Sequence, residues 1–421
     1  MLIRSTIDPI NVALETEAWV PESAQWITTT EAAQRLGVKR ATLYAYVSRG
    51  LLRSVRRPGQ QESLFERSQI DALASTSRPA GSPQPVLRFR SIATGVSSQV
   101  GGVLRYRGRP LEEVVATCSL EQAASLVLGG ASAAERREPA RGDDAHSAAL
   151  ASVLTALPLE RRLPVAVQVL GSSDPLADDR DPDRVRAATL ATIPRALELL
   201  ADAAGAPRAG LEGLAARSLE ALRGGAGGTG TPERVEVTRV LLIALLDHGL
   251  TASTIAARVA ASTRAGVHAC LTAAYAAMSG PLHGAAPGAA HALLDDSAPA
   301  TRAIGRALRD QGHVPGFGHF LYDSHPSGDP RAEVVLTALW DLPGTAGLRR
   351  RVDELTQVVA AHSGARPNID LASAAVLRAL GLPAAAGEVV FQIARSFGVA
   401  AHVIEEYAEE PLRWRGREAV G

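Results

Sequence analysis

Three segments of the chain place histidine, aspartate and arginine on backbone suited to chemistry. The first is Gly280-Pro281-Leu282-His283-Gly284-Ala285-Ala286. Its glycines let the main chain approach a ligand closely. A helix is expected to start just after His283, and a histidine at a helix N-terminus has its pKa lowered. The neutral imidazole can then donate a hydrogen bond to a developing enolate oxygen. The second segment is Val314-Pro315-Gly316-Phe317-Gly318-His319, a glycine-flanked loop followed by Asp329-Pro330-Arg331. Arginine suits two-pronged recognition of a carboxylate. The third is Arg366-Pro367-Asn368-Ile369-Asp370-Leu371-Ala372-Ser373. Leu371 to Leu380 reads as a helix stopped by Gly381, with Pro383 beyond. Asp370 then sits in the first turn, where the dipole is expected to keep it ionised and available as a base. An isolated histidine in a glycine loop, or an aspartate at a helix start, is as a rule a structural hydrogen bonder or a cap. The argument rests on the three segments together.

The elements that position these groups are helical. From about residue 86 to the C-terminus, period-2 alternation is nearly absent. Ala, Leu and Arg dominate, and Gly and Pro punctuate the segments. The stretch 253–279 is rich in alanine and poor in charge, so it is expected to be a closely packed element of one long or two short helices. Ahead of it all, residues 1–26 read as an irregular arm, 27–78 as a separate module, and 79–85 as a Pro- and Ser-containing linker.

The module carries its own signals. Thr28 and Glu31 fit a capping box, a short helix runs from Glu31 to Leu36, and Gly37 stops it. A second helix starts near Lys39 and passes through Thr42, Leu43 and Tyr44. This is the spacing of a helix-turn-helix. Arg53 to Arg57 and Leu64-Phe65, across Pro58-Gly59, read as a small hairpin or wing. Residues 27–78 hold nine Lys/Arg against four Asp/Glu, a local charge of +5 on a chain whose basic and acidic residues balance at 44 each. That footprint suits phosphate contact, with Arg40, Thr42 and Tyr44 on the recognition helix and Arg56 and Arg57 on the wing. Docking onto other protein is the alternative use of such a module.

Composition excludes several classes. With 421 residues, 46% hydrophobic, the chain can bury a large core. Neutral net charge excludes a wholly basic nucleic-acid binder. Cys118 and Cys270 have no ligand spacing, so neither a disulfide framework nor a metal site is expected. No secretory signal and no apolar stretch long enough for a bilayer is evident. A cytoplasmic protein with no membrane contact is expected.

In this order, the Gly-Pro-Leu-His-Gly, Gly-Phe-Gly-His to Asp-Pro-Arg, and Asn-Ile-Asp segments closely resemble the citrate synthase family. Further stretches agree. Leu104-Arg105-Tyr106-Arg107-Gly108 with Pro110-Leu111-Glu112-Glu113 resembles the family's N-terminal hairpin and first helix. Asp247 to Thr254 resembles the segment before the first catalytic histidine, and Ala394 to Gly398 the closing helix. The match runs from about 86 to 421. The segment Ala32 to Val38 with Ala41 to Tyr44 is similar to the excisionase and mercury-resistance-regulator type of winged helix.

The resemblance implies a mostly α fold, with a large helical domain from 86–286 and 393–421, a small one at 287–392, and a small winged module ahead of them. It implies that Asp370 takes a proton from an acyl-CoA, His283 stabilises the enol, and His319 polarises the keto group of oxaloacetate. His248, Arg331 and Arg395 would hold the carboxylates, with Arg415 or Arg417 (Arg417 preferred) supplied by the partner of a homodimer. Val314, Gly316, Gly318, Arg366 and Asn368 would meet CoA. Acyl-CoA enters as co-substrate, with no cofactor and no metal.

Departures from the family pattern are Gly249 in place of an acidic residue, Asp323 in place of a basic one, a longer link from His319 to Asp329, and the ending Arg413-Trp414-Arg415-Gly416-Arg417. Three readings stay open: condensation with acetyl-CoA to citrate, condensation with propionyl-CoA to 2-methylcitrate, and a metabolite-sensing, DNA-binding regulator with a degenerate synthase domain.

Overall fold

The computed structural model describes residues 26–36, 38, 42–43, 46–47, 52, 54–55, 63–67, 69–70, 92–130, 144–203, 205, 212–223, 230–319, 321–322 and 328–415. The chain divides into two compact units, 1–91 with 419–421, and 92–418.

In the first unit, α1 (Thr29–Leu36) follows β1 (Trp26–Thr28). The capping box forms: the Glu31 amide donates to Thr28 Oγ1 at 3.2 Å, and the Thr28 amide donates to Glu31 Oε2 at 2.9 Å. Glu31 is held below its ordinary pKa, first by the Thr28 amide. The expected hairpin is present as β2 (Ser54–Val55) paired antiparallel with β3 (Leu64–Glu66). A strand the sequence did not announce, β1, pairs on the other side of β3 and takes in Trp26, the last residue of the expected arm. Ala32, Ala33, Leu36, Leu43, Leu52, Phe65 and Ile70 form this unit's own core.

The second unit opens with a three-stranded sheet, β4 (Ser97–Val100), β5 (Val103–Tyr106) and β6 (Arg109–Pro110). Helices follow: α2 (Leu111–Thr117), α3 (Leu120–Leu128), α4 (Asp144–Thr155), α5 (Leu159–Ser172), α6 (Pro182–Ala203), α7 (Leu214–Leu222) and α8 (Pro232–Leu245). Then come α9 (Ala252–Ser262), α10 (Val267–Met278), α11 (Ala286–Asp295), α12 (Ala300–Gln311), α13 (Pro330–Trp340), α14 (Ala346–Ser363), α15 (Ile369–Leu380) and α16 (Ala386–Tyr407). The fold is mostly α, as expected. The alanine-rich stretch is two helices, α9 and α10, broken at Thr263 to Gly266, with Arg264 at φ 69°.

The 22-residue α16 is the spine. It is buried along nearly its whole length, with apolar faces against its neighbours and a buried polar stripe through Glu388, Gln392, Arg395, His402 and Glu406. It packs against α3, α5, α6, α8, α9 and α10. Close approach needs small residues: a Cβ on Gly398 would lie 2.3 Å from the Leu246 carbonyl oxygen and 2.7 Å from Asp247 Oδ1. Glycine there lets the spine sit directly behind the 246–249 turn, which carries His248.

Among the described residues, no helix is long and apolar enough to cross a membrane.

Candidate active site

The three segments converge. His248, Thr251, Leu282, His283, Gly318, His319, Arg331, Asn368, Ile369, Asp370, Phe391 and Arg395 line one cavity of about 470 Å³. All six side chains expected to catalyse or hold the keto acid, bar the C-terminal arginine, are on its wall.

Asp370 lies one residue inside α15. Asn368 caps that helix, its Oδ1 accepting from the Asp370 amide at 2.9 Å and the Leu371 amide at 3.3 Å, while its Nδ2 donates to the Gly318 carbonyl at 2.9 Å. One side chain therefore ties the loop of His319 to the helix start of Asp370. Main-chain bonds add to the tie: Gly318 N–H to the Arg366 carbonyl at 2.8 Å, and Asn368 N–H to the Gly316 carbonyl at 2.9 Å. Gly316, at φ 83°, has no room for a Cβ, which would meet Leu371 Cβ at 2.8 Å. The helix dipole does not keep Asp370 at an ordinary carboxylate pKa, as the sequence argument expected. Burial outweighs it and the attraction of Arg331, and pushes the carboxyl up to about 6. Among the described residues no side-chain hydrogen bond reaches this carboxylate, so it is a poised base.

His283 ends a tight turn, and α11 begins three residues later at Ala286. Its Nε2 lies 2.8 Å from Ser253 Oγ on α9. Burial first, then the charge of Arg395, push it down to about 4. The imidazole is neutral as expected, but burial does the work assigned to a helix terminus. His319 accepts the Leu321 amide at Nδ1, 3.3 Å away. In a neutral ring that places the proton on Nε2, a donor fit to polarise a carbonyl. The His248 and His319 rings meet edge-on, with centroids 5.2 Å apart.

Arg331 is buried, and its fork is already engaged. Nε and Nη2 donate to the two Asp329 oxygens at 2.9 and 2.7 Å. Burial opposes its charge, but Asp329 outweighs that and raises the pKa above the ordinary arginine value. Asp329 Oδ2 also accepts the Ile369 amide at 3.0 Å, joining α13 to the start of α15. Arg395, also buried, donates to the Leu245 carbonyl at 3.0 Å and to Thr251 Oγ1 at 3.3 Å. Among the described residues no carboxylate lies within ion-pair distance of it. The buried Asp247 carboxylate acts on it from beyond that distance, and a guanidinium on a cavity wall with no carboxylate bonded to it suits an anionic ligand.

Behind the wall, Asp247 is fully buried. It accepts from Ser97 Oγ, from the Gly249 amide at 2.9 Å, and lies 3.2 Å from His402 Nε2. A buried ionic chain follows: Arg258 pairs with Glu405 and Glu406, and Glu406 also takes Arg413 and the Trp414 indole N–H. Arg413 is therefore committed within its own chain.

A family model described as citrate synthase, C-terminal domain, matches residues 88–417. The chain belongs to the citrate synthase family. Among citrate synthase relatives, 2-methylcitrate synthase 2 of Corynebacterium glutamicum is 30% identical over 334 residues, covering 73% of this chain and 86% of its own. A citrate synthase of Deinococcus radiodurans is 29% identical over 331 residues, covering 72% and 86%. The crystal structure of citrate synthase from Thermotoga maritima aligns with TM-score 0.61 at 22% identity, over 81% of this chain and 96% of that one. That of Thermoplasma acidophilum, a ternary complex with carboxymethyl coenzyme A and oxaloacetate, aligns with TM-score 0.60 at 23% identity, over 79% and 94%. A second family model, a helix-turn-helix domain, matches residues 26–78.

Not every expected site residue of this citrate synthase family member reaches the cavity. Of the five assigned to CoA, Gly318 and Asn368 line it, while Val314, Gly316 and Arg366 do not. The carbonyls of all three are taken by loop hydrogen bonds. Arg417, Asp323, Arg40, Tyr44, Arg56 and Arg57 lie outside the described residues. Arg415 is described and exposed, and Thr42 is helical. Sequence reasoning gave no role to Asp329, Asp247, Ser97, Gln99, Thr251, Ser253, Tyr322 or Phe391. Asp329 alone had a readable signal, as a cap ahead of proline at N1. The others act across long sequence separations.

Proposed function

We propose that the chain condenses acetyl-CoA with oxaloacetate, giving citrate and free CoA, and acts in the cytoplasm. Asp370 removes an α-proton from the acyl group, and His283 donates a hydrogen bond to the thioester oxygen as the enol forms. The enol carbon bonds to the keto carbon of oxaloacetate while His319 supplies a proton to its oxygen. Water then cleaves the thioester and releases CoA. His248, Arg331 and Arg395 hold the two carboxylates, and Gly318 and Asn368, on the cavity wall, meet CoA. The observation that carries this reading is the convergence of one raised carboxylate, two donor imidazoles and a buried arginine with no directly paired carboxylate on one cavity.

The relatives named 2-methylcitrate synthase favour propionyl-CoA as the second reading. One methylene is worth roughly 1–3 kcal/mol in such a pocket, so kcat/KM for the two donors decides. Expected is oxaloacetate-dependent release of free CoA thiol, fastest with acetyl-CoA. No release with either donor overturns the enzyme reading and leaves the metabolite sensor.

We also propose a homodimer. The outward positions of α9 and α10, Ala252, Ile255, Ala256, Val259, Ala260, Ala269, Ala273 and Ala277, carry no charge. A small-residue face of this kind suits close helix packing against a second copy, whose Arg417 would complete the site. Light scattering at micromolar concentration is expected to give twice the chain mass. An active monomer would sink the idea.

For residues 26–78 we propose DNA binding, through Arg40, Thr42 and Tyr44 in a groove and Arg56 and Arg57 on phosphates. The +5 charge of the module supports it. Affinity is expected to fall steeply with salt, and Arg56→Ala with Arg57→Ala to weaken binding with little change in sequence preference. Polarisation titrations with genomic fragments check this. No salt-sensitive binding at low ionic strength leaves only protein docking.

A further inference from the structure

The Nε2 atom of His248 is 2.7 Å from Gln99 Nε2 and 2.7 Å from the Tyr322 hydroxyl. Gln99 comes from β4, and Tyr322 from the turn after His319. Neither lines the cavity, whereas His248 does. Among the described residues, Nδ1 of His248 has no hydrogen-bond partner. It is also absent from the buried side-chain atoms left without one, so it opens on the cavity. Burial, then Arg331 and Arg395, hold this ring far below the ordinary histidine pKa, so it is neutral and carries a single N–H.

An amide nitrogen can only donate, and a phenol readily donates. Two donors aimed at Nε2 require its lone pair, and the ring's proton is then on Nδ1. We propose that Gln99 and Tyr322 are positioning residues that lock His248 in its Nδ1–H tautomer, presenting a donor to an oxaloacetate carboxylate. The proposal rests on the reading of His248 as a keto-acid ligand. Tyr322 is well placed to couple this donor to the rest of the site, since its ring also lies 5.1 Å from the His319 ring and under Arg331 at 5.7 Å. Gln99 brings the N-terminal sheet into the same arrangement, beside Ser97, which holds Asp247. The opposite amide orientation would put Oε1 on Nε2 and draw the proton there. Nδ1 would then face a carboxylate with a lone pair, and the two would repel.

Two measurements on the full chain test this. The first is 15N NMR of protein labelled at histidine, with His248 assigned by comparison with His248→Gln. A proton on Nδ1 and a bare Nε2 are expected, and a proton on Nε2 overturns the proposal. The second is kinetic. Gln99→Glu exchanges the donor for an acceptor and should raise the oxaloacetate KM about tenfold to a hundredfold, with kcat and the acyl-CoA KM within about threefold. Tyr322→Phe keeps the ring and should move the same constant in the same direction by less. Unchanged oxaloacetate KM in both variants, or a uniform loss in all constants, overturns the proposal. Should Gln99→Glu fail to fold, Tyr322→Phe and the wild-type spectrum decide. Wild type that binds oxaloacetate by calorimetry but releases no CoA defeats the condensation reading alone, and the binding ratio of wild type to variant then judges this one. Wild type that binds no oxaloacetate defeats both.

Discussion

Asp370→Ala is expected to lower kcat by about 10²–10⁴-fold, the usual contribution of a positioned general base, while oxaloacetate still binds. Among the described residues it is the only carboxylate on the cavity wall, and the groups assigned to the substrate carboxylates are elsewhere on that wall. Its raised pKa sets the pH profile. The base must be ionised, so kcat/KM should fall as pH drops through about 6 and level off above it. The same shift acts on stability with the opposite sense. A carboxyl whose folded-state pKa lies above its unfolded value stabilises the fold only while protonated. That contribution is full below the unfolded value near 4 and is lost as pH rises through about 6. Asp370→Asn should therefore be more stable than wild type at pH 7.5, by on the order of 1 kcal/mol, with a smaller difference at pH 5. Thermal melts at the two pH values and a CoA-release assay check all three statements. A fully active Asp370→Ala protein removes the residue from the mechanism, and equal melting of Asp370→Asn and wild type at pH 7.5 removes the account of its pKa.

Asp329→Ala should be the most damaging change to the fold of the site. It strips the buried Arg331 of its paired carboxylate, and it leaves the Ile369 amide without its acceptor. Breaking a buried ion pair from one side costs about 3–5 kcal/mol, because the remaining charge is uncompensated. The lost cap on α13 adds to that. Activity should disappear with it, since Asp329 fixes both the arginine proposed to hold substrate and the helix start that carries Asp370. Asp329→Asn keeps an acceptor but not the charge, and should fall between the two. Urea unfolding at constant m value measures the difference. A midpoint for Asp329→Ala equal to wild type would overturn this account of the ion pair.

The two results also separate what was legible in the chain from what was not. Local order was legible. Glycine, proline and capping residues act within a few positions, so the stop of α15 at Gly381 and the capping box of α1 could be read directly, while the start of α15, read at Leu371, lies at Ile369 behind the Asn368 cap. The three motif segments were legible because each histidine or aspartate sits among the glycines, prolines and caps that shape its own loop, although Arg331 lies well beyond His319. The segments' order along the chain carried the family resemblance. The absence of strand alternation announced a helical fold, and the linker announced a separate N-terminal module.

Only the tertiary structure decided the electrostatics. A pKa depends on burial and on charges brought from far along the chain. That is why Asp370 titrates near 6 and not in the ordinary carboxylate range, and why burial lowers His283 where a helix terminus was expected to. Partners across more than 70 residues were equally illegible. Gln99 and Tyr322 on His248, and Ser97 and His402 on Asp247, meet only once the helices pack, as does Ser253 on His283 at a separation of 30 residues. The sequence determined which helices form and which groups could react; the packing of those helices determined which groups are buried, paired or left open to a substrate, because desolvation and Coulomb forces act through space and not along the chain.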